Sequence, residues 1–198
     1  MSDDAGSYWR RRSDMLYYRA IDHIIRVVGH DASSIVDVGT GNCPYLDWWP
    51  WIEDKVSVDI EAPYASANVE PIVGNILEWE PGRTFDVCTC FQVLEHIPEP
   101  RPFTQRLFDL GKTVVISVPY LWPEGRTNNH IHDPVDRDKL KSWTGRSPNY
   151  STIIAEPFGS VKHQRLIAAY HPDVKFRWKP SRIQRRILRD TGTIYFEE

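Results

Sequence analysis

A short apolar run, Ser34-Ile35-Val36-Asp37-Val38, opens directly into Gly39-Thr40-Gly41, and this junction constrains the fold more than any other stretch of the chain. Glycine turns the backbone sharply and lets a ligand approach closely, because no Cβ intervenes. Further on, Val56-Ser57-Val58-Asp59-Ile60 ends in an acid of its own. An acid at the end of the second strand can accept hydrogen bonds from both hydroxyls of a ribose. Together the two segments imply a nucleoside-containing ligand lying over the carboxyl edge of a parallel sheet.

Apolar runs of strand length recur after this point. They are Ser34–Val38, Lys55–Ile60, Val69–Val73, Phe85–Cys90, Thr113–Val118, Thr152–Ala155 and Arg165–Tyr170. Several are nearly continuous in apolar character, as expected of strands covered on both faces. Helical periodicity predicts an amphipathic helix over Tyr8–Val28, stopped by Gly29, and another over Pro98–Leu110, stopped by Gly111. A shorter helical piece is expected around Pro44–Trp49 and another over Asp138–Thr144. Strands alternating with helices point to an α/β fold with a mainly parallel sheet. Two links, Glu61–Asn68 and Pro81–Thr84, are too short for a crossover helix, which needs roughly a dozen residues. That half of the sheet is therefore expected to be trimmed. Pro119–Tyr150, by contrast, is long and aperiodic, the character of a binding loop or lid.

At 198 residues the chain reads as one domain. The expected division is a principal domain over 1–171, N-terminal helix included, followed by a basic extension over 172–198 that carries Lys175, Arg177, Lys179, Arg182, Arg185, Arg186 and Arg189. No apolar run is long enough to span a bilayer, and the acidic N-terminus is unlike a secretory signal. Cys43, Cys88 and Cys90 form no disulfide framework. Cys88 and Cys90 alternate along one strand, so both point the same way and can be buried side by side. The expected location is the cytoplasm, with no membrane association. A net charge of −3 weighs against general nucleic-acid binding. Trp48, Trp49 and Trp51 read as packing rather than as a substrate platform.

The order of these pieces resembles the class I S-adenosylmethionine-dependent methyltransferase family. Asp37-Val38-Gly39-Thr40-Gly41 resembles its first motif, Val58-Asp59-Ile60 its ribose-binding strand end, and Gly74-Asn75-Ile76 its adenine-contacting segment. Phe85–Ile97, with its Val93-Leu94-Glu95-His96-Ile97 run, is similar to the fourth-strand block of the small-molecule branch. The resemblance implies a Rossmann-like seven-stranded, mainly parallel sheet with helices on both faces and the last strand antiparallel. It implies S-adenosyl-L-methionine as cofactor. Gly39 and Gly41 would face its methionine part, with Asp37 orienting the ammonium. Asp59 and the adjoining Ile60 would hold the ribose, Asn75 and Ile76 the adenine, and Phe91 and Gln92 the inner wall.

Cys43 stands where a third glycine commonly permits tight helix–strand packing, so a slightly displaced helix is expected. The trimmed crossovers would leave the adenine side less covered, which implies weaker cofactor binding or cover from another chain.

His96 and His132 are the expected catalytic residues. Each has an unperturbed pKa near neutrality and can take a proton from an acceptor hydroxyl. His130-x-His132-Asp133 has ligand-type residues, but no further ligand pattern accompanies it, and no metal is expected. The acceptor is expected to be a small molecule, a sugar or other biosynthetic intermediate methylated on a hydroxyl. Nucleic acid is expected to be an unlikely partner, and a homo-oligomer is possible. Two other functions fit the same residues: a non-catalytic partner or scaffold module that retains the fold, and a methyltransferase acting on RNA or protein, guided by the basic tail. A nicotinamide-dependent dehydrogenase fits less well, because the full Gly-x-Gly-x-x-Gly spacing is missing.

Overall fold

The computed structural model describes residues 12, 14–157 and 163–179. Seven strands form one sheet: β1 (Ser34–Val38), β2 (Asp54–Asp59), β3 (Glu70–Val73), β4 (Phe85–Phe91), β5 (Gly111–Pro119), β6 (Tyr150–Ala155) and β7 (Gln164–Tyr170). Their order is β3-β2-β1-β4-β5-β7-β6. The pairs from β3 across to β5 are parallel, whereas β7 runs antiparallel to both β5 and β6. This is the Rossmann-like arrangement expected. The strand order reverses between β1 and β4, and ligands of open α/β sheets bind at such a switch point.

The central strands are buried on both faces, which explains their nearly continuous apolar character. In β1, Ile35 belongs to one core and Val36 and Val38 to the other. The first core packs Cys88, Cys90, Val114 and Ile116 under α2 (Pro100–Leu110) and α3 (Arg137–Thr144), through Phe103, Leu107, Leu140 and Trp143. Cys88 and Cys90 thus share one face, and both are fully buried. The second core packs Ile35, Val87, Val115 and Ile167 against α1 (Leu16–Val28), which contributes Tyr17, Ile21 and Ile25.

Helix α1 begins at Leu16, inside the stretch expected from Tyr8; residues 8–11 and 13 of that stretch lie outside the described residues. Its first amides have no local cap. The Glu156 carboxylate, beyond the end of β6, accepts from the Leu16 and Tyr17 amides instead, at 3.1 Å each. The tryptophans are packing residues that brace this helix. Trp49 is fully buried and donates its indole N–H to Asp22 at 3.1 Å, and Trp51 donates to the Gly29 carbonyl at 2.9 Å.

No helix separates β2 from β3 or β3 from β4, so the trimmed half of the sheet is real. After β1 the chain makes only a 3-10 turn, Pro44–Trp48, with Cys43 buried at its start. No helix among the described residues is long and apolar enough to cross a membrane. Of the basic extension, residues 180–198 lie outside the described residues. Its first part folds back on Asn149, whose side-chain amide donates to the carbonyls of Asp173 at 2.9 Å and Phe176 at 3.2 Å.

Candidate active site

The carboxyl ends of β1, β2 and β4 bring the expected cofactor residues to one edge. Gly39 has φ of +78° and Gly41 +53°, the left-handed region that side chains rarely adopt. Their surroundings differ. A Cβ on Gly39 would lie 2.4 Å from Val93 Cγ2, so this glycine exists to let the loop after β4 press against the turn. A Cβ on Gly41 would meet nothing within 4 Å. Gly41 therefore faces open space, as a ligand-approach position requires.

Asp59, at the end of β2, reaches across to this turn. One of its oxygens accepts from the Gly41 amide at 3.0 Å, and the other from Glu61 at 2.9 Å and Ala62 at 3.0 Å. Partial burial opposes ionisation, but the amides of Ala62, Glu61 and Gly41 outweigh it and hold the carboxyl below its ordinary range. Asp59 is thus ionised and half-exposed, and a carboxylate offers more acceptor sites than these amides occupy. Beside it, Ile60 is 71% exposed and Val73 68% exposed. These large aliphatic side chains stand bare at the ends of adjacent parallel strands, with Val73 in register with Asp59. Asn75, just past β3, caps its own turn by accepting from the Leu77 amide at 3.1 Å, while Ile76 is buried in the core below.

Asp37 is placed differently. It is fully buried and spans two neighbours: Tyr45 Oη donates to one oxygen at 2.7 Å and Thr89 Oγ1 to the other. Burial pushes its carboxyl up to about 6, against the hydrogen bonds from Thr89, Thr40 and Tyr45. These contacts tie the Gly39–Gly41 turn, the 3-10 turn after it and β4 together.

At the end of β4, Phe91 is buried and Gln92 takes φ of +58°. Backbone strain of this kind in a non-glycine residue is concentrated at functional sites. It is held by two bonds to Ser117 of β5: the Gln92 amide donates to the carbonyl at 2.9 Å and the side-chain amide to Oγ at 3.2 Å. Tyr17 of α1 shares a hydrogen bond with the same Ser117 hydroxyl.

The next residues meet the long segment between β5 and α3. The Ile131 amide donates to the Glu95 carbonyl at 3.0 Å. His96 Nδ1 bonds the Asn129 carbonyl at 2.8 Å. His132 Nε2 bonds the Ile97 carbonyl at 2.8 Å, and its ring packs on Trp143. The ring brought against His96 is that of His130, with centroids 4.8 Å apart; His132 is bound one step along the same seam. His130 Nδ1 is bonded to Asp133 at 2.7 Å, and both side chains are buried. Partial burial draws His96 below its ordinary value, against the pull of the Asn129 carbonyl.

Glu95 is the residue that sequence reasoning left without a role. It is fully buried, and neither carboxylate oxygen has a hydrogen-bond partner. Burial pushes it up to about 8, against its own backbone amide and Arg165, with Asp133 adding to the shift. An acid inside an otherwise apolar strand end, followed by His, was the available signal.

No protein-family model matches the chain, and no curated protein sequence is similar to it. The fold is similar to that of solved methyltransferases. N-methyltransferase NodS from Bradyrhizobium japonicum WM9, in complex with S-adenosyl-L-homocysteine, superposes with a TM-score of 0.62 at 13% identity, over 82% of this chain and 91% of that one. Burkholderia thailandensis 1,6-didemethyltoxoflavin-N1-methyltransferase, with its substrate and S-adenosylhomocysteine bound, gives 0.58 at 17% identity, over 85% and 84%. The small RNA methyltransferase HEN1 gives 0.59 at 18% identity, over 83% of this chain and 26% of that one. The chain thus has a class I S-adenosylmethionine methyltransferase-like fold. The last likeness also corrects one expectation. A small-RNA methyltransferase shares this fold as closely as enzymes with small acceptors do, so a slightly negative charge does not make nucleic acid an unlikely partner.

Proposed function

We propose that this chain binds S-adenosyl-L-methionine over the carboxyl ends of β1, β2 and β4 and directs its methyl group to an acceptor hydroxyl held under the segment between β5 and α3. The observation that carries this is the open space at Gly41 beside the ionised Asp59, with Ile60 and Val73 exposed at the ends of β2 and β3. These residues fit a nucleoside: an acid for the ribose hydroxyls and exposed aliphatic side chains for the adenine. Asn75 and the Ile76 amide would bound the adenine, and Phe91 and Gln92 would form the inner wall. Gly39 and Gly41 would leave room for the methionine part. Asp37 would act indirectly, by holding the turn through Tyr45 and Thr89.

Bound there, S-adenosylmethionine would supply an electrophilic methyl on its sulfonium. The protein's task is alignment of the acceptor with that methyl and removal of the hydroxyl proton. His96 and His132 each commit one ring nitrogen to a backbone carbonyl and keep the other for that proton. The acceptor is read as a sugar-like hydroxyl on a small molecule. The likeness to the small RNA methyltransferase HEN1 favours a second reading, an acceptor on RNA. RNA binding that falls steeply with salt, and is lost on deletion of residues 172–198, would select the second.

The test is calorimetric titration with S-adenosylhomocysteine, using wild type and Asp59→Ala. Binding by wild type, weakened at least about tenfold in the variant, is expected, a loss of about 1.4 kcal/mol. A well-folded wild-type protein that binds neither S-adenosylmethionine nor S-adenosylhomocysteine would refute the reading and leave the scaffold function.

A further inference from the structure

We infer that Glu95, His96 and His130 form a binding site for a divalent first-row transition cation such as Zn²⁺, Mn²⁺, Fe²⁺ or Co²⁺. The ligand atoms of these three residues lie within 4.8 Å of one another. Three independent features of the surroundings suit this purpose.

The first is the carboxylate. Glu95 is fully buried, and both oxygens lack a hydrogen-bond partner. Leaving a buried polar group unsatisfied costs about 1–3 kcal/mol, more for a charged one. A cation supplies the missing partner. His96 Nε2 lies 4.0 Å from Glu95 Oε1, too far for a hydrogen bond and wide enough for an ion between them.

The second is the tautomers of the two rings. His96 Nδ1 faces a backbone carbonyl, so it carries the proton and donates. His130 Nδ1 faces the buried Asp133 carboxylate. In the neutral rings both protons sit on Nδ1, and the lone pairs of both Nε2 atoms are free. Carboxylate–imidazole–metal and carbonyl–imidazole–metal relays are the usual means of orienting histidine ligands and raising their basicity.

The third is rigidity. The His130 ring is stacked on Trp122 at 5.6 Å, and Trp122 is itself fixed by donating to the Gln164 carbonyl at 2.9 Å. His96 and Glu95 occupy the short 3-10 turn at Leu94–His96, directly after the strained Gln92. To reach metal bonds of about 2.0–2.2 Å, the three side chains draw inward by roughly 1 Å.

Two imidazoles and one carboxylate suit a transition cation better than Mg²⁺ or Ca²⁺, which prefer all-oxygen shells. Three protein ligands also leave positions open for a water or a hydroxyl oxygen. If the methyl-transfer reading holds, an acceptor hydroxyl bound there would be acidified by the cation. His96 would then be a ligand, not a base.

The test uses the untagged, chelator-treated full chain. Co²⁺ titration is expected to give one equivalent bound, with visible d–d absorption displaced by Zn²⁺. Glu95→Gln and His130→Ala are each expected to weaken binding at least about tenfold, whereas His23→Ala, at an exposed position on α1, leaves it unchanged. Absence of binding of Co²⁺, Zn²⁺ and Mn²⁺ to the wild-type protein would overturn the site without reference to any variant's folding. Full retention of binding in both Glu95→Gln and His130→Ala would overturn it as well. S-adenosylhomocysteine titration of the same samples reads the cofactor site separately, so failure of one proposal is distinguishable from failure of the other.

Discussion

Alanine at Gly39 and at Gly41 should damage the protein in different ways, although the two glycines stand one residue apart and both have positive φ. Placing a Cβ in the left-handed region costs about 1–2 kcal/mol at either position. At Gly39 the new methyl also lies 2.4 Å from Val93 Cγ2 and 3.2 Å from Cγ1. Overpacking of this kind adds about 1–3 kcal/mol, so Gly39→Ala should lose about 2–5 kcal/mol. For a chain of this size each kcal/mol lowers Tm by about 2–4 °C, which predicts a fall of roughly 4–20 °C. At Gly41 the methyl meets no atom within 4 Å, and the loss should stop at about 1–2 kcal/mol. The damage there is to ligand approach, and S-adenosylhomocysteine affinity should fall at least about tenfold. Urea denaturation and calorimetry on the two variants separate these effects. Adding Val93→Ala to Gly39→Ala removes the overlapping methyls, and the double-mutant cycle should show a favourable coupling of about 1 kcal/mol or more. Equal stability losses at the two glycines, or no coupling with Val93, would refute the assignment of Gly39 to packing and Gly41 to the ligand.

Two further outcomes concern the opposite, amino edge of the sheet. Asp86 accepts from Ser33 N at 2.9 Å, Ser33 Oγ at 2.8 Å and Lys112 Nζ at 2.9 Å. Partial burial opposes its ionisation, but Lys112 and the Ser33 groups outweigh it and hold the carboxyl well below the usual range. Because the folded-state pKa is depressed, the stabilisation is fully present above the ordinary Asp value of about 3.9 and is lost as pH falls below it. Asp86→Asn should therefore cost about 1–2 kcal/mol at neutral pH, and a gap between variant and wild type that failed to narrow in urea melts near pH 3 would contradict this. Gly111→Ala puts a Cβ 2.4 Å from Cys88 Cβ and 2.8 Å from the Cys88 amide nitrogen, a clash with backbone that no rotamer relieves. The loss should exceed about 3 kcal/mol, and a Tm within a few degrees of wild type would show that β5 can shift away from β4 at low cost.

The elements were legible where the signal is local. Ile35, Val36 and Val38 are buried among strands on both sides, so β1 had to read as nearly continuous apolar sequence, interrupted by Asp37. The short links around β3 announced a sheet edge without crossover helices, because a helix needs length that those segments lack. The tight turn at Gly39 and Gly41 and the acid ending β2 were legible because both leave a mark within a few residues. The start of α1 was not, since its cap is Glu156, distant in sequence and brought there by β6.

The sequence by itself determined the class of fold and the strand count. Each follows from hydrophobic period, chain length and turn chemistry, which act over neighbouring residues. Only the tertiary structure decided which groups face one another. It tied Asp37 to Tyr45 and Thr89, left Gly41 open while closing Gly39 with Val93, and set His130 against His96 and the unpartnered Glu95. The physical reason is that the path of an aperiodic segment is set by where its backbone bonds are satisfied. Here the carbonyls of Glu95 and Ile97 and the ring of His96 supplied those partners.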